Sequence, residues 1–406
     1  MTHLAEEQFC VYLYDRLVGR LHRRGDTTRF VFEPDYWDDP QRAVLGLRFE
    51  ENRLERHQSN LRLPPWFSNL LPEGRLREWI ARARGAAIDR EMELLAQVGH
   101  DLPGAVRVLA AEEAVPVDVS DGQNASTVAD HPNNPLWRFS LAGVGLKFSL
   151  LATGDRLVLP AFGEGGDWIV KLPDPAYPDL PWNEFAMMTL AKAVGIEVPE
   201  VRLIHRDQVD SLPERVWIGT QGWAYAVKRF DRGPRRELIH IEDLAQVRGF
   251  CPDKKYAGSY ETIAALVYRG HDTEALREFT RRLAFNILIG NGDAHLKNWS
   301  LIYRDPRRPT LAPAYDLVST FVYRPPSEGL EDLALRFGRS KRFEDMRLSV
   351  FTRLEDALKT QIGLADIAEQ LAMKVREEWQ QALQILAEHP KLAREIERFI
   401  NASKLG

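Results

Sequence analysis

Alternation of apolar and polar positions marks the start of the chain and gives way to helical spacing further on. Residues 9–14 and 17–21 read as two strands about a short turn at Asp15 and Arg16; residues 28–32 read as a third and 44–49 as a fourth. Prolines and aromatics interleave over 63–74. Pro72 and Glu73 then favour a helix start, Leu76, Ile80 and Ala83 follow at helical spacing, and Gly85 can end the run. A further helix is predicted over 90–98, ending at Gly99. From 112 to 135 no periodicity remains, which is the composition of a linker. Residues 137–151 read as strand, glycine turn and strand, and 168–172 as a short apolar strand carrying one lysine. A helix running to Val194 is set up by Pro181 and Asn183 and closed by Gly195. Residues 224–231 form a later strand with a polar exit. Helical spacing then dominates: 240–246 begins a helix, 262–267 and 274–289 continue the pattern, and the region 356–401 repeats amphipathic helix. Leu371, Val375 and Trp379 fit one apolar face there.

These elements divide the chain into a β-rich first module (1–112), a linker (113–137), a lobe rich in strands (138–233) and a helical lobe (234–406). A length of 406 residues is enough for two or three domains, and 44% hydrophobic with 28% charged residues describes an ordinary globular protein. The net charge of −5 gives no electrostatic case for unaided nucleic-acid binding. Arg75, Arg77, Arg82, Arg84 and Arg90 cluster in sequence, which leaves a local basic patch open, with a solvated helix face the commoner account of such a run. The two cysteines, Cys10 and Cys251, lack metal-ligand spacing and are expected to be reduced thiols of a cytosolic protein. No leader and no run of transmembrane length is read, so a cytoplasmic protein without membrane contact is expected.

Candidate chemistry concentrates in residues 289–298, where Gly290 and Gly292 break a helix and Asp293, His295, Lys297 and Asn298 follow within six residues. Taken alone, this is also the composition of a surface turn. Asp316 lies eighteen positions past Asn298. A protein kinase sets its catalytic Asp and a metal-binding Asn five residues apart, with a second metal-binding Asp downstream. In that scheme Asp293 accepts the proton of an attacking hydroxyl. Asn298 and Asp316 are hard oxygen ligands for Mg²⁺. Lys297 is placed to meet the transferring phosphoryl group, and His295 completes the candidate catalytic set. Upstream, Gly143 and Gly145, with Ala142 and Val144 around them, would let backbone amides approach phosphate, and Lys147 follows. Lys171 on its apolar strand is costly to bury unpaired, and Glu184 offers a partner, with a chance surface pair as the competing account. Lys228, Arg229 and Phe230 stand where a hinge backbone would meet adenine.

Together these parts resemble the HipA family of toxin–antitoxin serine/threonine kinases. The resemblance runs nearly end to end. It rests on Leu-Leu-Pro-Glu-Gly at 70–74, Ser-Leu-Ala-Gly at 140–143 with Lys147, Lys-Arg-Phe-Asp-Arg at 228–232, His-Ile-Glu-Asp at 240–243, Gly-Asp-Ala-His-Leu-Lys-Asn at 292–298 and Tyr-Asp-Leu at 315–317. Many members carry Gln where this chain has Gly145. The resemblance implies an α+β, protein-kinase-like two-lobed fold with an N-terminal β-rich subdomain and an all-helical C-terminal lobe. It implies transfer of the γ-phosphate of ATP, with Mg²⁺, to a serine of a protein target, in known cases an aminoacyl-tRNA synthetase. It further implies a DNA-binding, HipB-like antitoxin that provides most of the operator contact, and autophosphorylation at Ser140. A small-molecule kinase and a catalytically weak corepressor scaffold are the alternatives.

Overall fold

The computed structural model describes residues 6–85, 87–111, 146–160, 164–210, 212, 214–218 and 221–405. Its first sheet joins β1 (Glu6–Leu13), β2 (Arg16–Arg24), β3 (Thr27–Phe32), β4 (Gln58–Asn60) and β5 (Val106–Ala110) in the order β4-β3-β2-β1-β5, all antiparallel. Val11, Leu13, Val18, Leu21 and Phe30 are buried. Residues 44–49, expected as a strand, instead lead into the short helix Leu47–Glu51, which buries Phe49 beneath Trp66 and Phe67. An apolar run this short does not distinguish the two forms; the aromatic cluster decides. The helix Gly74–Arg84 ends at Gly85, whose φ of 62° is the left-handed conformation favoured at helix ends. Of the arginines nearby, Arg77 bonds the buried Glu91 at 2.9 Å, while Arg82 and Arg90 are exposed.

The second sheet contains β6 (Lys147–Thr153), β7 (Arg156–Val158), β8 (Trp168–Lys171), β9 (Val201–His205) and β10 (Trp223–Lys228), ordered β7-β6-β8-β10-β9. Strand alternation gives it two different faces. One face contributes Phe148, Leu150, Trp168, Val170, Ala224 and Ala226 to a hydrophobic core shared with the first sheet. The other face contributes Tyr225 and Val227 to the core of the helical part. The first sheet and the second are therefore packed around one continuous apolar interior.

Beyond residue 234 the chain is mainly helical, but it carries two small antiparallel sheets. Strands β11 (His240–Asp243), β12 (Ser300–Asp305) and β13 (Arg308–Leu311) form one, and β14 (Asp332–Phe337) with β15 (Ser340–Arg342) the other. The C-terminal part is thus not all-helical. Residues 240–243 are strand because they pair with 300–303; the helix there spans only Leu244–Val247, capped by Asp243. The helix Thr273–Leu288 carries Leu276, Phe279, Leu283 and Ile287 on a fully buried stripe. Each such side chain contributes about 1.5–3 kcal/mol on burial. The helices Leu348–Leu358, Leu364–Ile385 and Pro390–Ala402 close the core, with Leu371, Val375 and Trp379 buried.

The first module is tied to the rest by buried polar contacts. Arg229 bonds Asp101 at 2.6 Å and Asp231 at 2.7 Å, and Arg232 bonds the same two carboxylates. Glu242 accepts from Leu47 N and Trp66 Nε1. Asn69 Nδ2 donates to Phe250 O at 2.7 Å.

Candidate active site

Lys147, Lys171 and Tyr225 are register partners on three neighbouring strands, so their side chains form a row on one face of the second sheet. Two lysines directly opposite one another repel. Carboxylates opposite them offset this. Lys171 Nζ donates to Glu184 Oε1 at 2.5 Å and also to Asp316. Glu184 is 2% exposed and projects from the helix Leu180–Ala193. Burial pushes the Lys171 ammonium down, but Asp316 and Glu184 outweigh it and hold it well above the usual lysine value. Burial pushes the Asp316 carboxyl up, and Lys171 and Lys147 overcome this, bringing it to about 2. Burial pushes the Lys147 ammonium down, with Asp316 opposing. The Lys171 ammonium lies 5.5 Å from the centre of the Tyr225 ring. The Tyr225 hydroxyl is buried with no hydrogen-bond partner among the described residues. Lys147 and Lys171 are the cations on this face, Glu184 and Asp316 balance their charge, and the Tyr225 hydroxyl lies beside them.

Asp316 sits at φ 55°. The segment after it is clasped by Asn183, which donates to Ser319 O at 3.0 Å and accepts from Ser319 N at 3.1 Å. Asn183 therefore binds this segment rather than serving only to start a helix.

The loop around Asp293 is made by an abrupt helix end. Gly290 has φ 66°, and a Cβ there would lie 2.5 Å from Phe321 Cδ1, so only glycine fits. Asn291 then organises the turn: its Oδ1 accepts from Asp293 N at 3.0 Å, and its Nδ2 donates to Asn286 Oδ1 at 2.7 Å. Asn298 Nδ2 donates to Asp293 O at 2.8 Å. The Asp293 side chain is half exposed and accepts from Tyr256 OH at 2.5 Å. Asn298 and Asp316 line one small cavity together with Asn291 and Tyr315.

The remaining residues named from the sequence fall into different surroundings. Lys297 does not face open space. Its ammonium donates to Asn69 O at 2.8 Å and Oδ1 at 3.1 Å, and lies 3.4 Å from both Glu73 and Asp243. It is a buried tie to the first module, because two carboxylates and a carbonyl surround it there. His295 is 5% exposed, and burial pushes its imidazole down to about 4, so it is neutral at pH 7. Its Nε2 is 3.9 Å from Asp293 Oδ1, too far for a hydrogen bond. The amides of Lys228 and Arg229 are committed to Glu200 O and Asp167 O, both at 2.8 Å. The Lys228 ammonium lies 3.3 Å from Glu200, and the Arg229 guanidinium is buried among carboxylates. Neither residue offers these groups to adenine. Phe230 does face an aromatic neighbour, Tyr315, at 5.6 Å. Ser140, Ala142, Gly143, Val144 and Gly145, like the linker 113–137, lie outside the described residues.

Sequence reasoning missed Asn69, Glu73, Tyr225, Tyr256 and Asn291. Glu73 lies in the quoted 70–74 element, and Asn291 is inside the loop itself. Nothing in the neighbourhood of Tyr256 in sequence distinguishes it from an ordinary exposed tyrosine.

Among the described residues, no group of three or more His, Cys, Asp or Glu could hold a metal. A magnesium ion does not require one, since it retains waters and uses one or two protein oxygens plus phosphate. Asn298, whose amide nitrogen is engaged with Asp293 O, and Asp316 on the same cavity fit that requirement. No helix among the described residues is long and apolar enough to cross a membrane.

The chain is similar to known proteins along most of its length. The HipA-like C-terminal domain matches residues 139–383, and the HipA N-terminal domain matches residues 9–109. The chain is 42% identical over 382 residues to "Putative kinase Y4dM" of Sinorhizobium fredii, covering 91% of this chain and 90% of that protein. It is 28% identical over 354 residues to the serine/threonine-protein kinase toxin HipA of Shewanella oneidensis, covering 77% and 75%. A solved structure of Shewanella oneidensis HipA with HipB and operator DNA matches with a TM-score of 0.74 at 21% identity, over 97% of this chain and 96% of that one. At that identity the likeness is one of fold.

Proposed function

The chain belongs to the HipA family, and from that premise we propose that it is an ATP- and Mg²⁺-dependent serine/threonine protein kinase. The observation that carries the reading is the meeting of Lys171, Glu184 and Asp316 with Lys147 across the strand, beside the Asp293–Asn298 loop. In this reading residues 138–233 act as the nucleotide lobe and 234–406 as the catalytic lobe. Lys147 and Lys171 neutralise ATP phosphates, and Glu184 keeps Lys171 aimed at them. Asn298 and Asp316 hold the magnesium ion, which when bound supplies positive charge to the phosphates. Asp293 accepts the proton of the attacking serine hydroxyl. Phe230 is the side chain of the 228–230 stretch left to stack on a base.

The wider reading makes the protein the cytoplasmic toxin of a toxin–antitoxin pair. Its partners are then a HipB-like DNA-binding antitoxin, operator DNA reached mainly through that antitoxin, and a protein target, with an aminoacyl-tRNA synthetase as the first to test. The naming of curated relatives as kinases and the fold shared with a HipA solved in complex with HipB and DNA support it. Autophosphorylation at Ser140 belongs to the same reading.

The test is incubation of the purified protein with γ-labelled ATP and Mg²⁺, followed by phosphosite mapping, with Asp293→Ala alongside. Label on wild type and at least a hundredfold less on the variant is the expected result. Equal labelling of Asp293→Ala would sink the assignment of Asp293. ATP binding without any transfer, combined with tight antitoxin binding, would favour the scaffold alternative.

A further inference from the structure

Asp293 must present its carboxylate to an acceptor in one orientation, and its backbone is well held. The amide donates to Asn291 Oδ1 at 3.0 Å and the carbonyl accepts from Asn298 Nδ2 at 2.8 Å. The carboxylate is held much less. Its side chain is 51% exposed, and His295 stands off at 3.9 Å. One hydrogen bond to it is described, from Tyr256 OH to Oδ1 at 2.5 Å. A half-exposed aspartate without that bond samples several χ1 and χ2 orientations.

Tyr256 is itself placed by groups from two parts of the chain. Its ring meets the buried His295 ring edge to face at 5.0 Å. The Lys255 ammonium lies 5.6 Å from its centre, within cation–π range. That ammonium donates to Glu73 Oε2 at 2.9 Å, so Glu73 of the first module anchors the residue next to Tyr256. A contact therefore runs from the first module through Lys255 and Tyr256 to Asp293.

We infer that Tyr256 is the positioning residue of Asp293: its hydroxyl holds Oδ1 and leaves Oδ2 directed at the acceptor hydroxyl. This rests on the phosphotransferase reading above. It also gives His295 a definite place, as the neutral wall that sets the tyrosine ring. The Tyr256 hydroxyl does not enter the reaction. In the transfer step the acceptor oxygen bonds the γ-phosphorus, the bond from that phosphorus to the bridging oxygen breaks with its electron pair leaving on ADP, and the acceptor proton passes to Asp293.

Tyr256→Phe removes only the hydroxyl and keeps both ring contacts. Wild type and variant are compared with γ-labelled ATP and Mg²⁺, counting all γ-phosphate leaving ATP, whether on protein or released. ATP affinity and thermal midpoint are measured on the same samples. The expected result is a fall of about 10- to 100-fold in the transfer rate at saturating ATP, the scale of a misplaced catalytic group, with ATP affinity and midpoint unchanged. A faster or unchanged rate overturns the inference, because the hydroxyl would then compete for the acceptor's place or do nothing. A matching loss of ATP affinity and midpoint also overturns it, since the role would be structural. If wild type moves no phosphate either, the phosphotransferase reading itself fails, and the silence of the wild type tells that failure apart.

Discussion

Glu242 is fully buried, and among the described residues its carboxyl forms no ion pair. Its Oε1 accepts from Leu47 N at 2.9 Å and Tyr303 OH at 2.5 Å, and its Oε2 accepts from Trp66 Nε1 at 3.1 Å. Burial pushes the carboxyl from 4.5 to about 7, against the pull of these donors. A raised carboxyl binds its proton more tightly in the folded state. Its contribution to stability is therefore full below about pH 4.5 and is lost as pH rises to about 7. At about 1.4 kcal/mol per pH unit the whole effect is about 3.5 kcal/mol, of which about 2.5 falls between pH 5 and pH 8. Glu242→Gln keeps the shape and the Oε1 contacts, cannot ionise, and turns an N–H toward Trp66, costing about 1–3 kcal/mol. Wild type should be the more stable protein at pH 5, and its advantage should shrink by about 2.5 kcal/mol by pH 8. Urea unfolding followed by tryptophan fluorescence at pH 5, 6, 7 and 8 measures this, and the comparison cancels titrations common to both proteins. Parallel pH profiles, or an advantage that grows with pH, would refute the reasoning.

Substitutions at two lysines separate a catalytic role from a structural one. Lys171→Met should lower phosphoryl transfer by at least about a hundredfold, because the cation facing the phosphates is lost; Lys171→Arg should not restore it, since a planar guanidinium cannot replace a point charge between Glu184 and Asp316. Transfer by Lys171→Met at wild-type rate contradicts the assignment. Lys297→Met should act first on stability, by about 3–5 kcal/mol, because Glu73 and Asp243 lose a buried partner. A thermal midpoint unchanged in Lys297→Met while transfer is lost would return Lys297 to the catalytic set.

What the sequence determined is local and chemical. The spacing of Asp293 and Asn298 is set within one turn, and the glycine that ends the preceding helix is legible as a breaker. Lys171 on an apolar strand needed an anion, and the order of lysine strand and glutamate helix offered Glu184 as one, while its second partner Asp316 came from the fold. Periodicity also located the first three strands, the helices about 74–84 and 273–288, and the apolar stripe of Leu371, Val375 and Trp379. It failed at residues 44–49 and 240–243, where a few apolar residues suit either helix or strand and distant pairing decides. The tertiary structure alone decided where each polar group spends its charge. Lys297 and Asn69 are 228 positions apart, yet their contact turns a presumed phosphate ligand into a structural tie. Arg229 sits in a stretch that read as a hinge, and two carboxylates, one of them 128 positions away, bury it. Tyr256 meets Asp293 in surroundings assembled from the His295 ring and from Lys255, which Glu73 reaches from the first module. A side chain's chemistry is written at its own position; its partners are fixed only when burial makes leaving that chemistry unsatisfied too costly.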